Sequence, residues 1–269
     1  MTLSLRRIGA VILRYLYLHK RSLPRTLEIV FWPVMELLVW GFVSVYFQSL
    51  VGNGAVSKFM VFLISGMIFW DILYRSQQGV SISIIEDIWT QNIVNVLVSP
   101  LKISEWLIGT FIYGFLKISL ITLILSGIAL GLYHFNLVGR VGFYLVPLAA
   151  GLLFFGWALG VFTSGLVIRW GYAAEALIWG VPFLVQPVSA IYYPLSVLPG
   201  WLQPIARGLP STYVFEGMRA VLATGSMPKH YFLLIFGLNL FYFAAAGLFF
   251  NWMYRSARES GRLGRLGMD

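Results

Sequence analysis

The chain has 269 residues and no cysteine; it is 59% hydrophobic and 17% aromatic, and only 11% of it is Asp, Glu, Lys or Arg. That is under half the charge of a soluble globular chain, which excludes a water-soluble domain, while the aromatic content excludes disorder and the missing cysteines exclude a disulfide scaffold or a Cys-ligated metal centre. The net charge of +9 is concentrated at the two ends, a distribution that fits tails flanking membrane spans and not nucleic-acid binding.

Residues 1–25 form the first element. Over 3–23, at 100° per residue, Arg7, Arg14 and Arg21 share one narrow face, and Leu5, Ile8, Ile12, Tyr15 and Leu16 share the opposite one, before Pro24 interrupts. This reads as an amphipathic helix in the inner membrane interface, its arginines turned to anionic headgroups or a partner. No cleavable signal peptide is expected, because the first 25 residues are basic throughout.

Residues 26–269 form a membrane domain. A crossing helix needs about 20 mostly apolar residues, and six candidates follow: Leu27–Leu50, a run from Phe59 to Trp70 with Asp71 and Arg75 at its inner end, Trp106–Tyr133, Val141–Ile168, Ala173–Ile191 broken by Pro182 and Pro187, and Tyr231–Tyr254. The runs are too long and too little alternating for membrane strands. The expected fold is all-α, with six transmembrane helices. With both termini in the cytoplasm, thirteen Lys and Arg lie inside and five outside, which supports that orientation.

Three regions are more than a six-helix anchor needs. Residues 81–105 form a cytoplasmic helical elbow broken at Ser99-Pro100, with Ser99 expected as cap and Pro100 in the first turn of the next helix. Ile88, Trp89, Ile93, Val94 and Leu97 are expected on its exposed, docking face, beside an alternative in which the elbow folds against the chain's own spans. Residues 192–229 carry five prolines yet stay apolar. Prolines at that density exclude one continuous helix, and apolar side chains at that density avoid water. Short helices dipping into the membrane, a re-entrant hairpin between spans five and six with Pro199-Gly200 at its turn, satisfy both demands. Glu216 and Arg219, three apart, can pair. Finally, Glu28, Glu36, Asp71 and Lys117 fall within apolar runs. A central charge costs about 2.5–3.5 kcal/mol to insert. Glu28 and Asp71 are expected to reach the interface, whereas Glu36 and Lys117 each need a polar partner or a water-filled path, with Glu36 the nearest carboxylate to Lys117 by depth.

No site for chemistry is apparent. There is no Gly-x-x-x-x-Gly-Lys-Ser/Thr loop and no Gly-x-Ser-x-Gly elbow, and His19, His134 and His230 lie far apart. Glu86 and Asp87 diverge on a helix. Gly127/Gly131 and Gly156/Gly160 permit close helix approach, within the chain more readily than at a dimer seam.

The chain resembles the type-2 ABC exporter permeases. The likeness is carried by the basic helix before the first span, by NVLVSPLKISEWLIG at Asn95–Gly109, and above all by YYPLSVLPGWLQPIARGLPSTYVFEGMRAVL at Tyr192–Leu222, which joins a Pro-rich hairpin to a Glu-Gly-x-Arg motif. The resemblance implies a bacterial inner-membrane permease without catalytic residues, metal or cofactor of its own. It implies a homodimer among membrane lipids, with two separate ATPase subunits that bind ATP and Mg. It further implies a coupling surface in the elbow (Glu86, Trp89, Ile93, Leu97, Ser99, Pro100, Leu101) and an outer gate (Tyr192, Tyr193, Pro199, Gly200, Trp201, Glu216, Arg219). SLPRTLEIVFWPVMELLVWGF at Ser22–Phe42 is more similar to the drug and nodulation-factor branch than to the polysaccharide and teichoic-acid branch, so a drug-like, lipidic or glycolipid substrate is expected. Apart from the resemblance, a proton-coupled secondary transporter with Glu36 and Lys117 as relay groups remains open.

Overall fold

The computed structural model describes residues 3–51, 55–261 and 263, with side chains described except at 25, 47–51, 55–59 and 97. Arg262 and Arg265 of the expected basic tail, and the side chain of Leu97, therefore lie outside the described residues. The protein is 87% helical, with no strand among the described residues. In chain order the helices are α1 (Leu5–Lys20), α2 (Leu23–Val51), α3 (Ala55–Trp89), α4 (Ile93–Val98), α5 (Ile103–Tyr133), α6 (Leu137–Val141), α7 (Leu145–Trp170), α8 (Glu175–Val185), α9 (Gln203–Arg207), α10 (Pro210–Thr224) and α11 (Lys229–Glu259).

Four helical stretches are long and apolar enough to cross a membrane: Thr26–Tyr46, Ile103–Tyr133, Leu137–Ser189 and Lys229–Glu259. The protein is thus an all-α protein of membrane-spanning character. The expected second span is part of α3. That helix does not end at Asp71 and Arg75 but runs on to Trp89. Its polar stripe of Asp71, Arg75, Gln77 and Gln78 dilutes the apolar run that sequence reading relies on. Asp71 does not reach an interface either: it is buried, and Arg75 one turn on holds both its oxygens at 2.7 and 2.9 Å.

The stretch Leu137–Ser189 is folded back on itself. Gly156 lies against Leu73 and Ser76, and Gly160 against Gln77 and Val80, so α7 runs parallel to α3. Gly171, at φ +60, ends α7. Beyond it Glu175 meets Trp89, Ile178 meets Gln78 and Phe183 meets Tyr74, so α8 runs antiparallel to α3. α11 then runs parallel to α7, with Asn239 at Gly151 and Phe250 at Gly165. The Gly156/Gly160 pair therefore serves close packing within the chain, whereas among the described residues no neighbouring element comes within 4 Å of where a Cβ at Gly127 or Gly131 would stand.

Two apolar clusters divide the bundle along its length. One gathers Val11 and Tyr15 of α1, Ile84, Ile85 and Ile88 of α3, Ile93, Trp106, Ile168, and Phe250 and Ala257 of α11. Both ends of the chain thus share one end of the bundle with the elbow and the α7–α8 turn. The other cluster takes in Phe135, Leu137, Ile191, Val214, Val221, Met227 and Ile235, placing the Pro-rich segment at the opposite end.

Candidate functional site

A cavity of about 900 Å³ is walled by α2, α3, α5 and α8, with α1 at its base. Helical spacing builds each wall. On α2, Glu28, Trp32, Glu36 and Trp40 recur every fourth residue and so form one face. On α3, Asp71, Arg75, Gln78, Ile82 and Glu86 do the same at intervals of three or four, as do Thr110, Tyr113 and Lys117 on α5 and Trp179 and Phe183 on α8, with Gln186 just past its end. The result is a channel of charges and aromatic rings between otherwise apolar helices.

Glu36 and Lys117 both line this cavity, but they do not pair. The Lys117 ammonium lies 5.9 Å from the centre of the Tyr113 ring, and it forms no ion pair among the described residues.

Pro182 shapes the α8 wall. It has no N–H for the Ile178 carbonyl one turn earlier. That carbonyl instead accepts from the Gln77 and Gln78 amides of α3 at 3.1 and 3.0 Å. Gln77 also donates to Ser81 Oγ and Thr163 Oγ1, at 3.1 and 3.2 Å. These amides fix the bent helix that carries Trp179 and Phe183. Sequence reasoning did not single them out, although two buried-face glutamines opposite a mid-helix proline are a legible signal.

The elbow differs from expectation in several respects. Residues 81–89 complete α3, and Ile88 and Ile93 are buried, because Ile88 continues the Ile84 and Ile85 face that packs on α1 and α7. Trp89, Val94 and Val98 form the exposed apolar surface, at 45%, 41% and 77% exposure. The Trp89 indole N–H donates to Glu175 Oε2 at 3.3 Å. Glu86 faces the cavity, not the outer surface of the elbow. Ser99 is not the cap of α5. Its hydroxyl donates to the Val96 carbonyl at 2.7 Å and accepts from Leu101 N at 3.3 Å, closing the bend before the exposed Pro100 and the half-buried Leu101. The cap is Lys102, whose N–H donates to Glu105 of the first turn at 3.1 Å.

The arginines of α1 are the largest correction. Arg7 and Arg14 each meet a carboxylate of this chain. Arg7 Nε and Nη2 each donate to Glu105 at 2.7 Å, and Ser4 N adds a third donor at 2.8 Å. Arg14 forms a forked pair with the buried Asp87, which also accepts from Asn92 Nδ2 at 3.2 Å. Arg21 follows α1 and is exposed. The inward face is thus Arg7, Ile8, Val11, Arg14 and Tyr15, while Leu5 and Leu16 point out. The hydrogen bond to Glu105 raises the Arg7 pKa above its ordinary value. Burial opposes the charge of Arg14, but Asp87 outweighs it and raises that pKa too. Burial pushes the Tyr15 phenol up.

At the opposite end, 192–229 is broken into short pieces: a single 3-10 turn at Leu195–Val197, then α9 and α10. Leu202 N bonds the Pro199 carbonyl at 2.8 Å, so Pro199 and Gly200 do open a turn, beside an exposed Trp201. Glu216 and Arg219 pair at 2.8 Å; Glu216 also accepts from Leu195 N at 2.7 Å, and Arg219 donates to the Ile191 carbonyl at 3.2 Å. The Glu-Gly-x-Arg motif therefore pins the segment to α10. Tyr192 stacks on Trp40 at 5.6 Å, linking this end to the cavity, and the Tyr193 hydroxyl donates to the Pro187 carbonyl.

No family model matches the chain, and no curated protein matches it.

Proposed function

We propose that the chain is the membrane-spanning permease subunit of an ATP-driven ABC exporter, acting in a bacterial inner membrane as a homodimer with two separate ATPase subunits. In this reading the protein crosses the membrane six times with both termini cytoplasmic, and the substrate is drug-like, lipidic or glycolipid. The chain itself does no chemistry; ATP and Mg belong to the partner.

One observation carries the proposal. The elbow connects α3 and α5, and these same two helices supply Asp71, Arg75, Gln78 and Lys117 to the cavity. A force applied at Trp89, Val94 and Val98 acts directly on the cavity walls. The directions of α3, α7 and α11, which run parallel to one another, and of α8, which runs antiparallel to them, support six crossings, with α8 and the turn after it serving as the fifth. The 192–229 segment, closed at its tip by the Pro199–Leu202 turn, is read as a re-entrant gate over the far end of the path.

The test uses the tagged chain isolated from membranes of its host. Wild type is expected to bring an ATP-hydrolysing subunit with it. Trp89→Ala, which removes an exposed anchor, and Pro100→Ala, which relaxes the bend, are expected to cut its recovery severalfold or to uncouple hydrolysis from transport. Unchanged recovery and coupling in both variants would refute the coupling assignment.

A second reading, a proton-coupled transporter, is favoured by Glu36, a carboxylate within a candidate crossing helix that has no ion pair among the described residues. The two readings separate on energy source: transport abolished by a proton ionophore with ATP present supports the second.

A further inference from the structure

Glu36 is a carboxylate of the cavity wall with no ion pair among the described residues. Arg75 neutralises Asp71 through two hydrogen bonds. Lys117 lies over Tyr113, with Glu86, Asp71 and Arg75 as the charges that act on it. The charges acting on Glu36 are Asp71 and Arg75, which cancel as a pair. Glu36 itself has neither a hydrogen bond nor an ion pair among the described residues, and it is half-buried. An anion in such a setting needs a cation.

The surroundings of Glu36 specify what kind. Trp40, Trp70, Tyr74 and Phe183 line the same cavity. Trp70 and Tyr74 stack at 6.5 Å, and Tyr74 meets Phe183 at 6.0 Å. Tyr192 backs Trp40 at 5.6 Å and holds its ring in place. Aromatic rings in one cavity with a carboxylate accept apolar bulk through ring area and, through their quadrupoles, favour a positive charge over a negative one. A small hydrated cation could use the carboxylate but not the rings. A neutral lipid could use the rings but would leave Glu36 unpaired.

We propose that the cavity around Glu36 is a binding site for a lipophilic organic cation, held by the Glu36 carboxylate and the Trp40, Trp70, Tyr74 and Phe183 rings. This rests on reading the cavity as a transport path and narrows its substrate class to a bulky ammonium-like or phosphonium-like cation.

Equilibrium dialysis of tetraphenylphosphonium against the full chain in detergent tests it. Saturable binding is expected, at least about tenfold weaker in Glu36→Gln, where one charge-assisted contact is lost. Glu36→Asp should recover part of the loss. Trp40→Leu, which keeps an apolar side chain but removes a ring face, should also weaken binding. Tetraphenylborate, with the same shape and opposite charge, should bind at least about tenfold more weakly than the cation. Equal binding of cation and borate, equal binding by wild type and both Glu36→Gln and Trp40→Leu, or no saturable binding at all, overturns the proposal. Recovery of the ATPase with wild-type chain reports on the permease reading alone. Recovery without cation binding sinks only the cation site, and cation binding without recovery sinks only the permease assignment.

Discussion

The Ile178 carbonyl shows how a single missing N–H is absorbed. Pro182 leaves it unsatisfied within α8, and two amides of α3 take it up. A buried acceptor without a partner costs about 1–3 kcal/mol. The double variant Gln77→Leu/Gln78→Leu is therefore expected to lose about that much stability in detergent. In a Pro182→Ala background the loss should shrink, because the substituted alanine supplies the N–H the carbonyl lacks. A thermodynamic cycle built from these variants and wild type checks it, and equal losses in both backgrounds would disprove the role of the amides. At this scale the sequence was legible for pairs close along one helix. Glu216 and Arg219 were read correctly from a spacing of three. Arg7 with Glu105 and Arg14 with Asp87 were not, because nothing in a helical wheel tells a lipid-facing arginine stripe from one that meets carboxylates far along the chain.

Among the elements, α1 acts as a strap across the elbow. Its two guanidiniums hold Asp87 at the end of α3 and Glu105 at the start of α5, the two roots of the elbow. Exchanging Glu105 for Gln removes the charge that Arg7, Ser4 N and Lys102 N converge on. We expect Glu105→Gln to loosen α1, so that trypsin cuts at Arg7, Arg14 and Lys20 severalfold faster than in wild type. An unchanged cleavage rate would mean that apolar packing of Ile8 and Val11 suffices. The existence of α1 was legible from its basic, amphipathic composition, but it ends at Lys20, short of the expected 3–23, and Pro24 falls in the first turn of α2. The extent of α3 was not legible: Asp71 and Arg75 look like a helix end when hydropathy alone is read, yet each satisfies the other and the helix continues. The elbow was misplaced for the same reason, since residues 81–89 carry mixed polarity only because one of their faces meets the cavity.

For the molecule as a whole, the cavity is the feature that the sequence half disclosed. Glu36 and Lys117 marked it as charges too costly to bury without purpose. The stripes that complete it, Asp71 to Glu86 on α3 and Trp179 with Phe183 on α8, were written in the same three- and four-residue spacing. They became visible only once four helices were placed around a common space. The central claim is that this space belongs to a pump driven from the elbow by a partner that hydrolyses ATP. The most direct measurement is native mass spectrometry of the assembly purified through a tag on this chain, joined to an ATPase assay of the same preparation. The account predicts two copies of this chain with two copies of a soluble subunit, and ATP hydrolysis that travels with that complex. A chain purified from its own membrane alone or only with itself, with no ATP hydrolysis, would contradict it.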